Sequence, residues 1–193
     1  MHQRPILPGL RFLLAAVALL LAASCGHGAR VIEAGGPGEF SPDVADTMTL
    51  YDLSGNSATL SEAFPRRFRL VVFFTTYASP MVDMVPTLND LHLRWRSRGL
   101  VVVGVSMDLQ PEAMLRPFVE ELQVCFPVVV GDEMLRRSGV GPLGKMDQVP
   151  TYWLVDPRGE LVWNGSGPLK ADELEAVIRA YVAPANVARA ATE

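Results

Sequence analysis

Thiols, imidazoles, one junction hydroxyl and a set of thioethers are the groups in this 193-residue chain that could carry chemistry. Its two cysteines, Cys25 and Cys125, are far apart in sequence. Thiol–disulfide exchange needs a thiolate to attack and normally a second thiol to resolve the mixed disulfide. Cys125 has two readings. It is a lone redox thiol or a point of intermolecular pairing, or it is a small apolar residue beside Phe126 and Val128, inert because buried. Free cysteines are buried often enough that the second reading is preferred. Ser79 cannot substitute as a nucleophile, because its hydroxyl stays protonated without an adjacent base. His2, His27 and His92 are all remote from it in sequence. Met81 and Met84, one helical turn apart, and Met107 offer soft ligands that select Cu(I). Methionines at helical spacing are more often core, so no metal and no cofactor is assigned.

The elements that would position these groups centre on Val71 to Met81. Val71-Val72-Phe73-Phe74 is an apolar run of β-branched and aromatic residues and reads as a buried strand. A brief polar turn follows. Met81, Met84, Val85, Leu88, Leu91 and Trp95 then recur at helical spacing, so an amphipathic helix comes directly after the strand. Pro86 removes one backbone donor early in that helix and is expected to kink it.

This layout resembles the thioredoxin-like superfamily, in particular the TlpA-type (redoxin, AhpC/TSA-like) thiol–disulfide oxidoreductases tethered to membranes. Those carry Phe-Trp-Ala-Thr-Trp-Cys-x-Pro-Cys here, with a kinking proline five residues beyond the second cysteine. Phe73-Phe74-Thr75-Thr76-Tyr77-Ala78-Ser79-Pro80-Met81 lies in register with that motif, and Pro86 falls five after Met81. Ala78 and Met81 stand where the family has its two cysteines, so the scaffold matches and the dithiol chemistry does not. A peroxidase of the related type would need Thr-x-x-Cys; Thr75-Thr76-Tyr77-Ala78 has the threonine only. Copper-delivering relatives on this fold use two cysteines and a histidine, which are absent from these positions.

The first residues read as a targeting segment. Arg4 and Arg11 precede an apolar run of twelve residues, Phe12 to Ala23. A membrane span needs about 20, whereas a secretory core is shorter. Ala22-Ala23-Ser24-Cys25 resembles a bacterial lipobox, which makes 1–24 a lipoprotein signal peptide and Cys25 the lipidated residue that holds the protein on a membrane. Ala22, where leucine is commoner, leaves ordinary cleavage near Ala23 or a retained anchor as alternatives. Residues 26–46 contain Gly35-Gly36-Pro37-Gly38 and no sustained periodicity, so 25–46 reads as lipidated cysteine plus flexible tether.

The whole chain carries 17 Lys and Arg against 21 Asp and Glu, and losing Arg4 and Arg11 leaves 15 against 21, or −6. An acidic chain without a basic stripe is a poor nucleic-acid binder. Arg94, Arg96 and Arg98 fall at the end of the first long helix, where they suit the negative end of its macrodipole.

Along the rest of the chain, Met48 to Leu53 and Ala58 to Leu60 flank Ser54-Gly55-Asn56 and read as an N-terminal hairpin. Leu100 to Ser106 does not alternate and reads as a strand buried on both faces. Pro111 to Leu122 begins well for a helix and carries Met114, Leu115, Phe118, Val119 and Leu122 at helical spacing. Phe126 to Val130 reads as a strand and Asp132 to Arg137 as a short helix. Gly139-Val-Gly-Pro-Leu-Gly144 satisfies G-x-G-x-x-G by letter, but it follows no strand and opens no helix, so no nucleotide is assigned. Asp156-Pro-Arg-Gly-Glu160 is a hairpin turn between Tyr152–Asp156 and Leu161–Asn164. Asp172 to Val182 closes the domain as a helix with Leu174, Val177, Ile178 and Tyr181 on one face, and 184–193 is expected to fray.

The fold expected is therefore α/β: a thioredoxin-like domain over 47–183, with a central mixed sheet flanked by helices and an N-terminal hairpin. In the resembled family a cis-proline occupies the place of Pro150, facing the start of the first helix, and its neighbouring backbone receives an extended substrate. Tyr77, Ser79, Pro80, Val149, Pro150 and Thr151 are accordingly the candidate binding groove. The function expected is an envelope-anchored module with a degenerate dithiol site that holds an extended segment of an envelope protein, as a chaperone or assembly factor would. The alternative is a TlpA-type oxidoreductase working through Cys125 or a partner's thiols.

Overall fold

The computed structural model describes residues 48–142 and 144–190. The signal segment, Cys25 and the tether lie outside the described residues.

Strands β1 (Thr49–Tyr51) and β2 (Ser57–Thr59) form the expected hairpin, with Tyr51 opposite Ser57. Its turn is closed by the Asp52 carboxylate, which accepts the Ser54 and Asn56 N–H groups at 2.8 and 2.9 Å. Helix α1 (Leu60–Ala63) starts in a capping box in which Thr59 and Glu62 satisfy each other's backbone N–H. The core of the molecule then follows as β3 (Phe68–Phe74), α2 (Ser79–Trp95), a single 3-10 turn (Arg96–Arg98) and β4 (Leu100–Ser106). Helix α3 (Pro111–Glu121), β5 (Val128–Val130) and α4 (Glu133–Ser138) come next. A minimal hairpin, β6 (Val140–Gly141) and β7 (Gly144–Lys145), accounts for the glycine-rich stretch. Strands β8 (Thr151–Val155) and β9 (Leu161–Ser166) and the helix α5 (Ala171–Ala190) complete the domain.

Seven strands make one mixed sheet in the order β2-β1-β5-β4-β3-β8-β9. Strands β3, β4 and β5 are parallel, while β8 and β1 flank them antiparallel. Every residue of β3 and β4 is buried, which is why both read as unbroken apolar runs rather than as alternations. Residues of opposite parity serve two cores. Leu70, Val72 and Phe74 pack with α2, α3 and α5 through Met81, Leu88, Phe118 and Ile178. Val71, Phe73 and Val103 pack on the other face with Leu60, Leu135 and Trp153.

Three expectations need correction. Met114 and Tyr181 were placed on apolar helix faces, yet both are exposed; Leu115 and Phe118 fill the space under α3, and Val182 takes the inward position on α5. The segment expected to fray from Pro184 instead continues α5 to Ala190, since a proline inside a helix removes one hydrogen bond and need not end it. Pro86 likewise lies inside α2, with its ring on the exposed side.

Candidate functional site

The parallel strands β3 and β4 end side by side, Phe74 opposite Ser106. Above this edge the chain turns through Thr75, Thr76 and Tyr77 and enters α2. The turn is held by hydrogen bonds from the Ala78 N–H to the Thr75 carbonyl (3.2 Å) and from the Met81 N–H to the Ala78 carbonyl (2.9 Å). Ala78 is the N-cap of α2 and supplies no side-chain cap, and Pro80 has no N–H to satisfy. The positive end of a 17-residue helix is thus left open where the resembled family has its first cysteine.

The side chains at the motif positions divide by burial. Met81 is completely buried in the core against Phe74, whereas Ser79 is exposed and Ala78 and Pro80 are half-buried. Tyr77 is 76% exposed, the most accessible large apolar side chain described. The Val149–Pro150 bond is cis, as the resemblance implied. Because Thr151 pairs with Phe73, Pro150 stands beside the end of β3 and the start of the turn. The Pro150 carbonyl accepts the Gly167 N–H at 2.8 Å, and the Thr151 hydroxyl donates to the Gln148 carbonyl at 2.7 Å. Among the described residues the Val149 N–H and carbonyl have no hydrogen-bond partner. Val149 itself is half-buried. Val149, Pro150 and Thr151 thus stand at the same end of the sheet as the turn that leads to Tyr77, Ser79 and Pro80.

One site residue was not anticipated. Asp108, only 2% exposed, lies two residues beyond β4 and holds the turn in place. Its carboxylate accepts the Thr76 N–H (3.0 Å), the Thr76 hydroxyl (3.0 Å) and the Ser106 hydroxyl (2.8 Å). A buried carboxylate is tolerated only when hydrogen-bonded in this way. The available signal was a Ser-x-Asp step at the end of a fully apolar strand, where a polar pair at the edge of the core needs a reason. Nearby, the Thr75 hydroxyl is buried with no hydrogen-bond partner among the described residues. The Tyr152 hydroxyl is in the same condition, and burial raises its pKa well above the ordinary range for a phenol.

The three methionines do not converge. Met81 and Met84 belong to the core on the α2 face, and Met107 to the core on the opposite face of the sheet. All three are buried, as the packing reading expects.

Cys125 departs from its preferred reading, because it is exposed rather than buried. In the loop leading to β5 it is Phe126 that turns into the core, which sends its neighbour outward. The Cys125 N–H donates to Asn89 Oδ1 at 2.9 Å, and its Sγ lies 3.8 Å from the Asn89 carbonyl oxygen. Asn89 is ten residues beyond Ser79 on α2, about 15 Å along the axis at the usual rise per residue. Cys125 is therefore outside the Ala78–Pro150 site and cannot act as a resolving thiol within it.

Among the described residues no thiol, imidazole or coupled hydroxyl lies at the junction, and the open start of α2 favours negative charge there. Comparison with known proteins gives the lineage. The thiol–disulfide oxidoreductase ResA of Bacillus thuringiensis is 24% identical over 137 residues, covering 70% of this chain and 75% of that protein. That of Oceanobacillus iheyensis is 28% identical over 129 residues, covering 67% of this chain and 59% of its own length. Among solved structures, a thiol:disulfide interchange protein from a Bacteroides species superposes with a TM-score of 0.61 at 26% identity, over 72% of this chain and 88% of that one. A DsbE-type protein from Chlorobium tepidum, at 22% identity and a TM-score of 0.57 over 70% and 93%, shares the thioredoxin-like fold. Residues 41–164 match the AhpC/TSA family, and the chain belongs to that family of thioredoxin-like redoxins.

Proposed function

We propose that the protein serves thiol–disulfide exchange in the bacterial cell envelope by holding an extended segment of an envelope protein, the reacting sulfurs being supplied by that segment and its redox partner. The observation that carries this reading is the unpaired Val149 peptide group beside the cis-proline, facing a junction with no thiol of its own. The segment would pair with Val149 as an added strand, and Tyr77 would cover one of its side chains. A cysteine of the segment lying over Ala78 would sit at the open end of α2, where the helix dipole favours thiolate over thiol. That thiolate attacks a disulfide in the redox partner, forms the mixed disulfide and releases the partner's second sulfur as thiolate. The curated relatives are named as thiol–disulfide oxidoreductases, which supports placing the protein in that chemistry.

Export by the segment 1–24 and an acyl anchor at Cys25 complete the proposal and put the groove in the envelope. Among the described residues no helix is long and apolar enough to cross a membrane. Where the held segment has no cysteine, the same groove works as a chaperone or assembly site without redox chemistry.

Site-specific photo-crosslinking from position 77 in cells tests the groove. Capture of envelope proteins through cysteine-bearing segments is expected; capture of cysteine-free segments alone would favour the chaperone form, and no capture with the domain folded would end both. The exposure of Cys125 favours one further reading, in which that thiol forms mixed disulfides on its own. Loss of in-cell mixed disulfides in a Cys125→Ser variant, with position-77 crosslinks unchanged, would establish it.

A further inference from the structure

The end of the sheet opposite the site carries a groove of about 740 Å³ lined by Arg66, Arg67, Arg96 and Arg98 with Trp95, and no carboxylate of the described residues lines it. The helix dipole explains part of this. Arg96 and Arg98 follow the C-terminus of α2, where cations are favoured. Arg66 and Arg67 come from a different element, the loop before β3, and owe nothing to that dipole. Two hydrogen bonds fix the loops against each other: Arg67 Nη1 donates to the Arg96 carbonyl at 3.2 Å, and the Phe68 N–H to the Gly99 carbonyl at 2.9 Å. Arg98 lies over the Trp95 ring, 5.2 Å from its centroid.

Arg94 provides an internal contrast. One turn earlier on the same helix, it is paired with both Asp90 and Glu175. Among the described residues no carboxylate pairs with Arg66, Arg67 or Arg96. In a chain of net charge −4, four arginines line one groove without an acid among the described lining residues. Their field reaches a neighbour: burial, then the charges of Arg96 and Arg67, hold the His92 imidazole below its ordinary range.

We propose that this groove binds a phosphate-bearing anion, a lipid headgroup or a free phosphate group being its two sources. Guanidinium forks match phosphate oxygens in pairs, and converging arginines from two loops are the usual means of holding one. The lipid source, though not the anion class, rests on the anchor proposed at Cys25.

The test uses the full chain as processed by the cell, in non-ionic detergent, with the His92 ring protons followed by NMR and assigned through a His92→Gln variant. Dihexanoyl-phosphatidylglycerol below its aggregation concentration is expected to give a saturable upward movement of the His92 titration, as the arginine charges are neutralised. Dihexanoyl-phosphatidylcholine is expected to give none. Arg66→Gln with Arg96→Gln should weaken the response at least tenfold, whereas Arg94→Gln should leave it in place. Inorganic phosphate binding as tightly would replace the lipid with a free anion. The absence of any saturable response, or an equal response in the double variant, would overturn the site. The mass of the N-terminal peptide reports independently whether Cys25 is acylated, so failure of the anchor is distinguishable from failure of the groove.

Discussion

The two ends of the sheet have been treated differently by this sequence. The Phe74–Ser106 end has the turn, the open start of α2, the cis Val149–Pro150 bond and a buried carboxylate bracing the turn. What is missing is sulfur, two atoms' worth of chemistry at positions 78 and 81. At the other end side-chain charge is gathered from two loops. The comparison teaches that a scaffold and its reaction are separable. Backbone geometry is enforced by the packing of the whole core, whereas a nucleophile rests on a single side chain. It also gives two independent handles, since the site end should respond to restoring atoms and the far end to removing charge.

The largest effect should come from putting the sulfurs back. In an Ala78→Cys, Met81→Cys variant, the first thiol sits at the N-cap of α2 and the second one turn inside. The helix terminus should lower the first thiol below the free value of about 8.5. Disulfide reduction of insulin should rise by orders of magnitude over that of the native chain. A variant that folds and stays inactive would mean that the open helix end is not the poised site described here, and the distinction between scaffold and reaction would fail. Alkylation of the single Ala78→Cys variant against pH separates a misplaced thiol from an unresolved mixed disulfide.

The bracing carboxylate comes next. Asp108→Ala leaves the Thr76 N–H and two hydroxyls without their acceptor inside the protein. Losing charge-assisted bonds and stranding a buried donor costs about 3 kcal/mol. Urea denaturation should show that loss, and the position-77 crosslinks should weaken in parallel, because the turn that presents Tyr77 is released. Full stability with lost crosslinking would instead make Asp108 a direct contact of the bound segment.

Much of the frame was legible in the sequence, for reasons that these elements make clear. Strands β3 and β4 are buried on both faces and so appear as apolar runs, and α2 has one buried stripe, Met81 to Trp95, at helical period. The groove residues were legible only through the resemblance, since nothing local marks Pro150 as a binding position. Asp108 was missed because its partner Thr76 is 32 residues away and the pairing exists only once β3 and β4 are side by side. The arginine groove was missed for the same reason: Arg94, Arg96 and Arg98 read as a helix terminus until the loop of Arg66 and Arg67 is placed across from them. Cys125 was misjudged because burial in a loop is decided one residue at a time. Its apolar neighbour Phe126 took the inward position.

The smallest effect expected, and the most specific to the far end, is a dependence of stability on pH through His92. The imidazole is buried against β4, with its Nδ1 facing the Val102 N–H at 3.4 Å, and Arg96 and Arg67 disfavour its protonation further. Its folded pKa is therefore depressed below the ordinary value of 6.5. The sign follows from proton uptake: below about 6.5 the unfolded chain binds a proton that the folded one refuses. The stability contribution is fully present above that value and is lost as pH falls through the lower folded pKa. Urea midpoints between pH 7.5 and 5 should fall in the native chain and flatten in His92→Gln. Arg96→Gln should shift the fall to lower steepness without removing it, because burial remains the leading cause. If Arg96→Gln leaves the profile unchanged, the arginine field does not reach His92, and the contrast between a chemically emptied end and a charged one loses its electrostatic half.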